Sequence, residues 1–358
     1  MSDRAGSITR EGERYPASPH ELRYLPIEVP SGGAARPIAE GVYWLRVPLP
    51  MELNHINLWL LEDGDGWTLV DTGMAHDVCR ETWYELERDA LGGRPLRRVF
   101  VTHDHPDHMG LAPWLAERHG AGVWMSRDAH RSAGDFLEID PGVLSERIGG
   151  FLHSHGVDVS PGSSLVRGDH REWFGGLPAL SHAVDDGETL DAGRGTWQVV
   201  RTGGHCGGHL CLYDASREIL VSGDQVLPGI SPNVSVLSSA PGADPLREFL
   251  ASIDRLGRCA QGTLVLPSHG RPFHGLHRRL AGLAGHHHEQ LDALRGACTE
   301  PRTAFELLPT LFRRVPRGFH RLLAIGEAVA HLNYLLAGHE LVRQADDRGV
   351  YRFVVPAA

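Results

Sequence analysis

Residues 101–110 read VTHDHPDHMG, and no other stretch limits the fold so sharply. Three histidines and two aspartates occupy the six positions from His103 to His108, directly after the apolar run RRVFVT. Side chains this strongly hydrated are costly to gather at the end of a buried strand unless a cation or a dense hydrogen-bond network offsets the cost. The chain must therefore deliver the cluster on a strand, hold it in a loop and supply partners from elsewhere. His103, His105, Asp107 and His108 place four candidate ligands in that one loop. Imidazole nitrogen and carboxylate oxygen suit zinc, iron or manganese.

Composition narrows the chemistry further. All 35 basic residues are arginine and there is no lysine, which excludes Schiff-base catalysis and a Walker-type phosphate loop. Cys79, Cys206, Cys211, Cys259 and Cys298 form no CxxC pair, so neither a disulfide framework nor a thiolate zinc site is expected. The 23 histidines point instead to metal ligation by imidazole. A net charge of −10 argues against a nucleic-acid partner. No apolar run approaches the roughly 18 residues of a membrane span, and MSDRAGSITREGERYP lacks the apolar core of a secretory signal. The expectation is a cytoplasmic protein.

Along the chain, residues 1–37 are polar and rich in glycine and proline and read as a flexible leader. Short apolar strands then recur between turn signals: VYWLRV, NLWLLE, GWTLVDTG and RRVFVTH, followed by a helix in GLAPWLAERHG. A second set follows residue 187: WQVVRTGGH, HLCLYD, EILVSGD and TLVLPSHG. Two facing sheets with helices outside accommodate both sets. Residues 128–183 read as a helical insertion, a lid or pocket wall, with a break at VSPGSSL. Residues 276–358 predict three helices and a hairpin turning at DDRG, a winged-helix pattern.

THDHPDH resembles the signature of the metallo-β-lactamase superfamily. The rest of that pattern follows in order: LVDTG with Asp71, TGGHCGGH with His205, VSGD with Asp224 and LPSHG with His269. The separations after His108 are 97, 19 and 45 residues, the first lengthened by the insertion. The resemblance covers residues 38–275 and implies an α+β four-layer αββα sandwich as the catalytic domain, with a winged-helix-like domain over 276–358. It also implies two divalent metal ions, zinc first, with iron or manganese as alternatives. By position, His103, His105 and His205 would hold one metal and Asp107, His108 and His269 the other. Asp224 would bridge them together with a hydroxide, and Asp71 would orient a ligand by hydrogen bonding. TGGHCGGH departs from relatives in carrying Gly203 and Cys206 where proline and threonine are usual. Cys206 reads as a small apolar filler, or else a redox-sensitive thiol.

The implied reaction is hydrolysis of a thioester, ester or lactone of a small molecule, in the manner of the glyoxalase II and lactonase-like dinuclear branch, with Asp107 or Asp224 handling a proton. The absence of lysine disfavours a glutathione thioester. QVLPGISPNVSV, after Asp224, reads as a structural loop or an apolar mouth for an acyl group, and His55 as a hydrogen-bonded loop histidine or else a substrate contact. The expected partner is a small-molecule acyl substrate, with no membrane and no nucleic acid, and the tail is read as a packing domain and homodimer contact. Two other readings are a metal-dependent endonuclease acting on RNA or single-stranded nucleic acid, and a metal-occupied DNA-binding regulator. Residues 276–358 hold 11 arginines against 8 acidic residues, but the helix 319–337 carries only Arg321 and Glu327, a poor surface for phosphates.

Overall fold

The computed structural model describes residues 22–158 and 171–356. After a two-residue strand β1 (Arg23–Tyr24), seven strands form one sheet in chain order: β2 (Arg36–Ala39), β3 (Val42–Pro48), β4 (His55–Asp63), β5 (Gly66–Val70), β6 (Leu96–Phe100), β7 (Gly122–Met125) and β8 (Leu180–Ala183). Strands β2 to β5 run antiparallel and β5 to β8 parallel. The parallel part needs crossovers, which are α1 (Asp77–Asp89), α2 (Pro106–Met109) with α3 (Ala112–His119), and α4 (Arg127–Glu138) with α5 (Pro141–Ser154).

The second sheet is built from β9 (Thr189–Ala192), β10 (Gly195–Thr202), β11 (His209–Asp214), β12 (Ile219–Gly223), β13 (Leu264–Pro267) and β14 (Phe273–His274), with β1 on its edge beside β14. Helix α6 (Pro245–Leu256) joins β12 to its parallel neighbour β13. The tail supplies α7 (Leu276–Ala297), α8 (Ala304–Leu311) and α9 (Phe319–Ala337), then the hairpin β15 (Val342–Ala345) and β16 (Tyr351–Val354).

Strand periodicity explains the layering. Trp44, Trp59, Val70 and Phe100 of the first sheet meet Trp197, Val199, Leu212, Val221 and Leu266 of the second in one apolar layer. Intervening residues face outward: Leu58, Leu69 and Val99 pack under Trp83, Leu86 and Leu115 of α1 and α3. On the other side Cys211, Leu220 and Val265 pack under Phe249 and Ile253 of α6. Helices thus cover both outer faces of two stacked sheets, as the alternation predicts.

Three boundaries differ from the sequence reading. Residues 22–37 are not a loose leader: Leu22 is buried, β1 pairs with β14, and Arg271 donates to the carbonyls of Leu25 and Ile27. Residues 1–21 lie outside the described residues, as does VSPGSSL. The insertion assigned to 128–183 ends in β8, the edge strand of the first sheet, so its last residues belong to the sandwich. The tail shares a continuous core with the second sheet, because Leu280, Leu283, Ala328 and Val329 pack in the cluster that holds Phe249 and Leu220. Helix α5 joins the same cluster through Ile148, Phe151 and Leu152, so the insertion reaches the tail as well. Among the described residues, no helix is long and apolar enough to cross a membrane.

Candidate metal centre

Every expected ligand sits just beyond the C-terminal end of a strand. His103 and His105 follow β6, and Asp107 and His108 ride on the single turn of α2, whose start suits Pro106 because that position needs no N–H donor. His205 follows β10, Asp224 follows β12 and His269 follows β13. Loops far apart in sequence meet here, each at the C-terminal end of its strand.

Two sets of atoms converge. One comprises His103, His105, His205 and Asp224, the other Asp107, His108 and His269, the atoms in each lying within 4.8 Å of one another. In the first, His105 Nδ1 is 2.9 Å from His103 Nε2 and 3.1 Å from His205 Nε2. In the second, Asp107 Oδ2 is 3.3 Å from His269 Nε2 and 3.5 Å from His108 Nε2. Asp224 belongs to both: Oδ1 lies 3.4 Å from His269 Nε2 and 3.5 Å from His108 Nε2, and Oδ2 lies 3.5 Å from His205 Nε2.

The outer hydrogen bonds decide which nitrogens point inward. His108 Nδ1 donates to Asp71 Oδ2 at 2.8 Å, His205 Nδ1 to the Asn233 carbonyl at 2.9 Å, and His269 Nδ1 to the His55 carbonyl at 2.8 Å. Thr102 Oγ1 donates to Asp71 and so accepts from His103 Nδ1 at 3.0 Å. Each of these rings therefore turns an Nε2 lone pair to the centre. His103 Nε2 and His205 Nε2 both face His105 Nδ1, which carries at most one proton, so at least one lone pair has no donor. His108 Nε2, His269 Nε2 and Asp224 Oδ1 are likewise buried without a hydrogen-bond partner. Donors about 2.0–2.1 Å from a tetrahedral cation stand roughly 3.3 Å apart, which is the spacing observed. The residues fit a pair of divalent cations.

Electrostatics separates the two sets. Burial, followed by repulsion from neighbouring rings, holds His103 well below the usual histidine range, and burial with His105 brings His205 down to about 4. Burial acts the same way on His269, but Asp224 and Asp107 outweigh it and push this ring up to about 10. Asp107, Asp71 and Asp224 likewise hold His108 well above its usual value against burial. The carboxylates thus create a field that favours positive charge among Asp107, His108 and His269.

Some supporting residues were invisible in the linear pattern. His209, the second histidine of TGGHCGGH, is buried; its Nε2 accepts from the Asp224 backbone N–H at 3.2 Å and its ring centroid lies 5.0 Å from that of His103. Asn57 accepts from Trp44 Nε1 and donates to the carbonyls of Pro267 and Gly270, fixing the His269 loop. Arg279 of α7 donates to the carbonyls of Leu227 and Ile230, while the Val236 N–H bonds Gly326 of α9. QVLPGISPNVSV is therefore a braced loop whose Asn233 seats His205. His55 is structural too: its Nε2 accepts from the Gly270 N–H at 2.9 Å, and burial followed by Arg46 brings its pKa down to about 3.

The departures around His205 acquire reasons. Gly203 donates its N–H to Ser252 Oγ at 2.9 Å, a bond a proline would forfeit. Gly204 has φ 93°, and a Cβ there would collide with Phe249 and Pro245 of α6. Burial, with Asp104 and Asp224 next, raises the Cys206 thiol well above its ordinary value, so it stays a thiol.

A two-sheet sandwich with clustered histidines and aspartates at one edge defines a metal-dependent hydrolase. The chain belongs to the metallo-beta-lactamase superfamily, which it matches over residues 52–279, and residues 291–356 match the metallo-beta-lactamase-like C-terminal domain. A beta-lactamase domain protein from Burkholderia ambifaria superposes with a TM-score of 0.85 at 37% identity, covering 94% of this chain and 98% of that one. A metallo-beta-lactamase family protein from Thermus thermophilus gives 0.75 at 29%, covering 89% and 100%. Among curated proteins, a linear primary-alkylsulfatase of Pseudomonas sp. is 26% identical over 60% of this chain, which spans 42% of its length. The acyl-coenzyme A thioesterase MBLAC2 of Gallus gallus is 26% identical over 67% of this chain and 81% of its own.

Proposed function

We propose that the chain hydrolyses a thioester, ester or lactone of a small molecule at a dinuclear centre, with zinc as the first candidate metal. The observation that carries this reading is Asp224, whose two oxygens address two separate donor sets 3.4–3.5 Å away. Two divalent cations held there would bring the pKa of water toward neutrality and polarise the acyl oxygen. The chain does the rest. His103, His105 and His205 would hold one cation, and Asp107, His108 and His269 the other. Asp71 and Thr102 keep His108 and His103 in the tautomers that face inward. As water adds to the acyl carbon and the bond to sulfur or oxygen breaks, the leaving group must take a proton. Asp224 addresses both donor sets with its two oxygens, so Asp107 is the carboxylate we assign to pass that proton on.

The thioesterase relatives support an acyl thioester, and the alkylsulfatase shows that sulfate esters are handled within the same superfamily. For residues 276–358 we retain the winged-helix reading, since three helices precede a two-stranded hairpin, and we assign them the task of bracing the site loops. A cytoplasmic location and a homodimer through the tail complete the proposal.

The test is initial rates of zinc- and manganese-loaded protein on an acyl thioester, a long-chain lactone and a short RNA, with Asp224→Ala as control. Thioester or lactone turnover that vanishes in the variant is expected. RNA cleavage alone would replace this reading with the endonuclease one.

A further inference from the structure

Outside the metal centre, the most distinctive chemistry lies between α8 and α9, where residues 312–321 read FRRVPRGFHR. No aspartate or glutamate occurs between Glu306 and Glu327, although the chain carries a net charge of −10. Arg313, Arg314 and Arg317 are exposed, and among the described residues they have no ion-pair or hydrogen-bond partner. Elsewhere Arg98, Arg118, Arg194, Arg217 and Arg255 are each paired with a carboxylate.

The position of this segment gives it meaning. Its His320 Nε2 lies 3.8 Å from Glu52 Oε2, in the β3–β4 loop that leads to His55, whose carbonyl holds His269. One turn further along α9, the Leu323 carbonyl accepts from Ser235 Oγ at 3.1 Å, two residues beyond the Asn233 that holds His205. The start of α9 therefore bridges the two loops that seat opposite halves of the metal centre. Met51, Leu237 and Phe319, one on each of these three elements, are exposed large apolar residues.

We infer that this rim binds the phosphate-bearing nucleotide end of a carrier thioester, so that the substrate is an acyl group on a coenzyme A-type carrier. The inference rests on the hydrolase reading above and adds a subsite to it. Guanidinium groups grip phosphate oxygens in pairs, and three with no carboxylate to satisfy them suit a pyrophosphate with a further 3′-phosphate. Met51 and Leu237 give apolar cover to the arm that carries the acyl group toward the metals. The arginines precede the charge-poor helix 319–337, which explains how a helix unsuited to phosphates can still border a phosphate site.

The experiment compares wild type with Arg313→Gln/Arg314→Gln/Arg317→Gln, both metal-loaded, on octanoyl-coenzyme A and on octanoyl-N-acetylcysteamine, the same thioester without phosphates. The variant should raise KM for the coenzyme A ester about tenfold or more at unchanged kcat, and leave the short thioester unaffected. A second arm needs no turnover: adenosine 3′,5′-bisphosphate, titrated calorimetrically, should bind wild type and bind the variant at least about tenfold more weakly. Equal effects on both thioesters, or bisphosphate binding that is absent or identical in the two proteins, overturns the rim site. A short RNA that binds more tightly than the bisphosphate and is lost in the same variant would reassign the rim to nucleic acid. Bisphosphate binding without turnover of either thioester would sink the hydrolase reading and leave the rim site standing.

Discussion

Asp71 Oδ2 accepts a hydrogen bond from His108 Nδ1 at 2.8 Å, while Asp71 Oδ1 accepts from the Thr102 backbone N–H at 2.8 Å. One carboxylate beyond β5 thus fixes both a candidate ligand ring and the start of the loop that carries three more candidate ligands. The Asp71 backbone is left-handed, with φ 61°, a conformation that aspartate and asparagine adopt more readily than most residues.

Asp71→Asn keeps that backbone and removes the charge. Metal affinity should fall about 10–100-fold, the usual cost of losing a partner behind a ligand, with the fold retained. Competition against a chelator measures it, and unchanged affinity would show that Asp71 serves only the backbone.

Gly223 has φ 53°, and a Cβ there would strike the His209 ring that receives the Asp224 N–H. Gly223→Ala should destabilise the protein by more than about 1 kcal/mol and displace Asp224. Denaturant midpoints and metal content are the readouts. A variant as stable and as metal-rich as wild type would remove His209 from the support of the site.

Because His108 Nε2, His269 Nε2 and Asp224 Oδ1 are buried without a hydrogen-bond partner, bound cations should stabilise the fold. At free metal a hundredfold above Kd the gain is about 2.7 kcal/mol, so a chelator should lower Tm by several degrees. Asp224→Ala should make Tm insensitive to the chelator. A wild-type melt that ignores the chelator would argue against the metal assignment.

His287 Nδ1 and His331 Nε2 share a 3.0 Å hydrogen bond between α7 and α9, His331 Nδ1 donates to the Glu327 carbonyl, and Phe249 of α6 packs against His287. Burial, then the adjoining ring and His286 and His288, holds His287 well below its usual range, and burial brings His331 from 6.5 down to about 4. Below pH 6.5 the unfolded chain takes up protons that the folded chain refuses. The pair's contribution is therefore complete above 6.5 and is lost as pH falls toward 4, on the order of 3 kcal/mol for His331. His287→Leu/His331→Leu, which removes both partners together, should match wild-type stability near pH 8 and exceed it at pH 5. Parallel pH–stability curves would refute the assignment.

Much of this protein can be read from its linear sequence. Apolar alternation in VYWLRV, NLWLLE, WQVVRTGGH and HLCLYD marks β3, β4, β10 and β11, because a side-chain period of two is written locally. The candidate ligands are legible for the same reason: each is a strongly polar residue placed directly after an apolar strand, an arrangement costly enough to stand out. Tertiary structure alone decided what holds them. His209, Asn57, Arg279 and β1 look ordinary in sequence, and each acquires its role from a partner on a distant segment: Asp224, Pro267, Leu227 and β14. Hydrogen bonds and strand pairings of that kind depend on which edges the folded sheets bring together. Arg313, Arg314 and Arg317 follow the same rule, since charge can be counted along a chain but which arginines find a carboxylate partner is decided only in the fold.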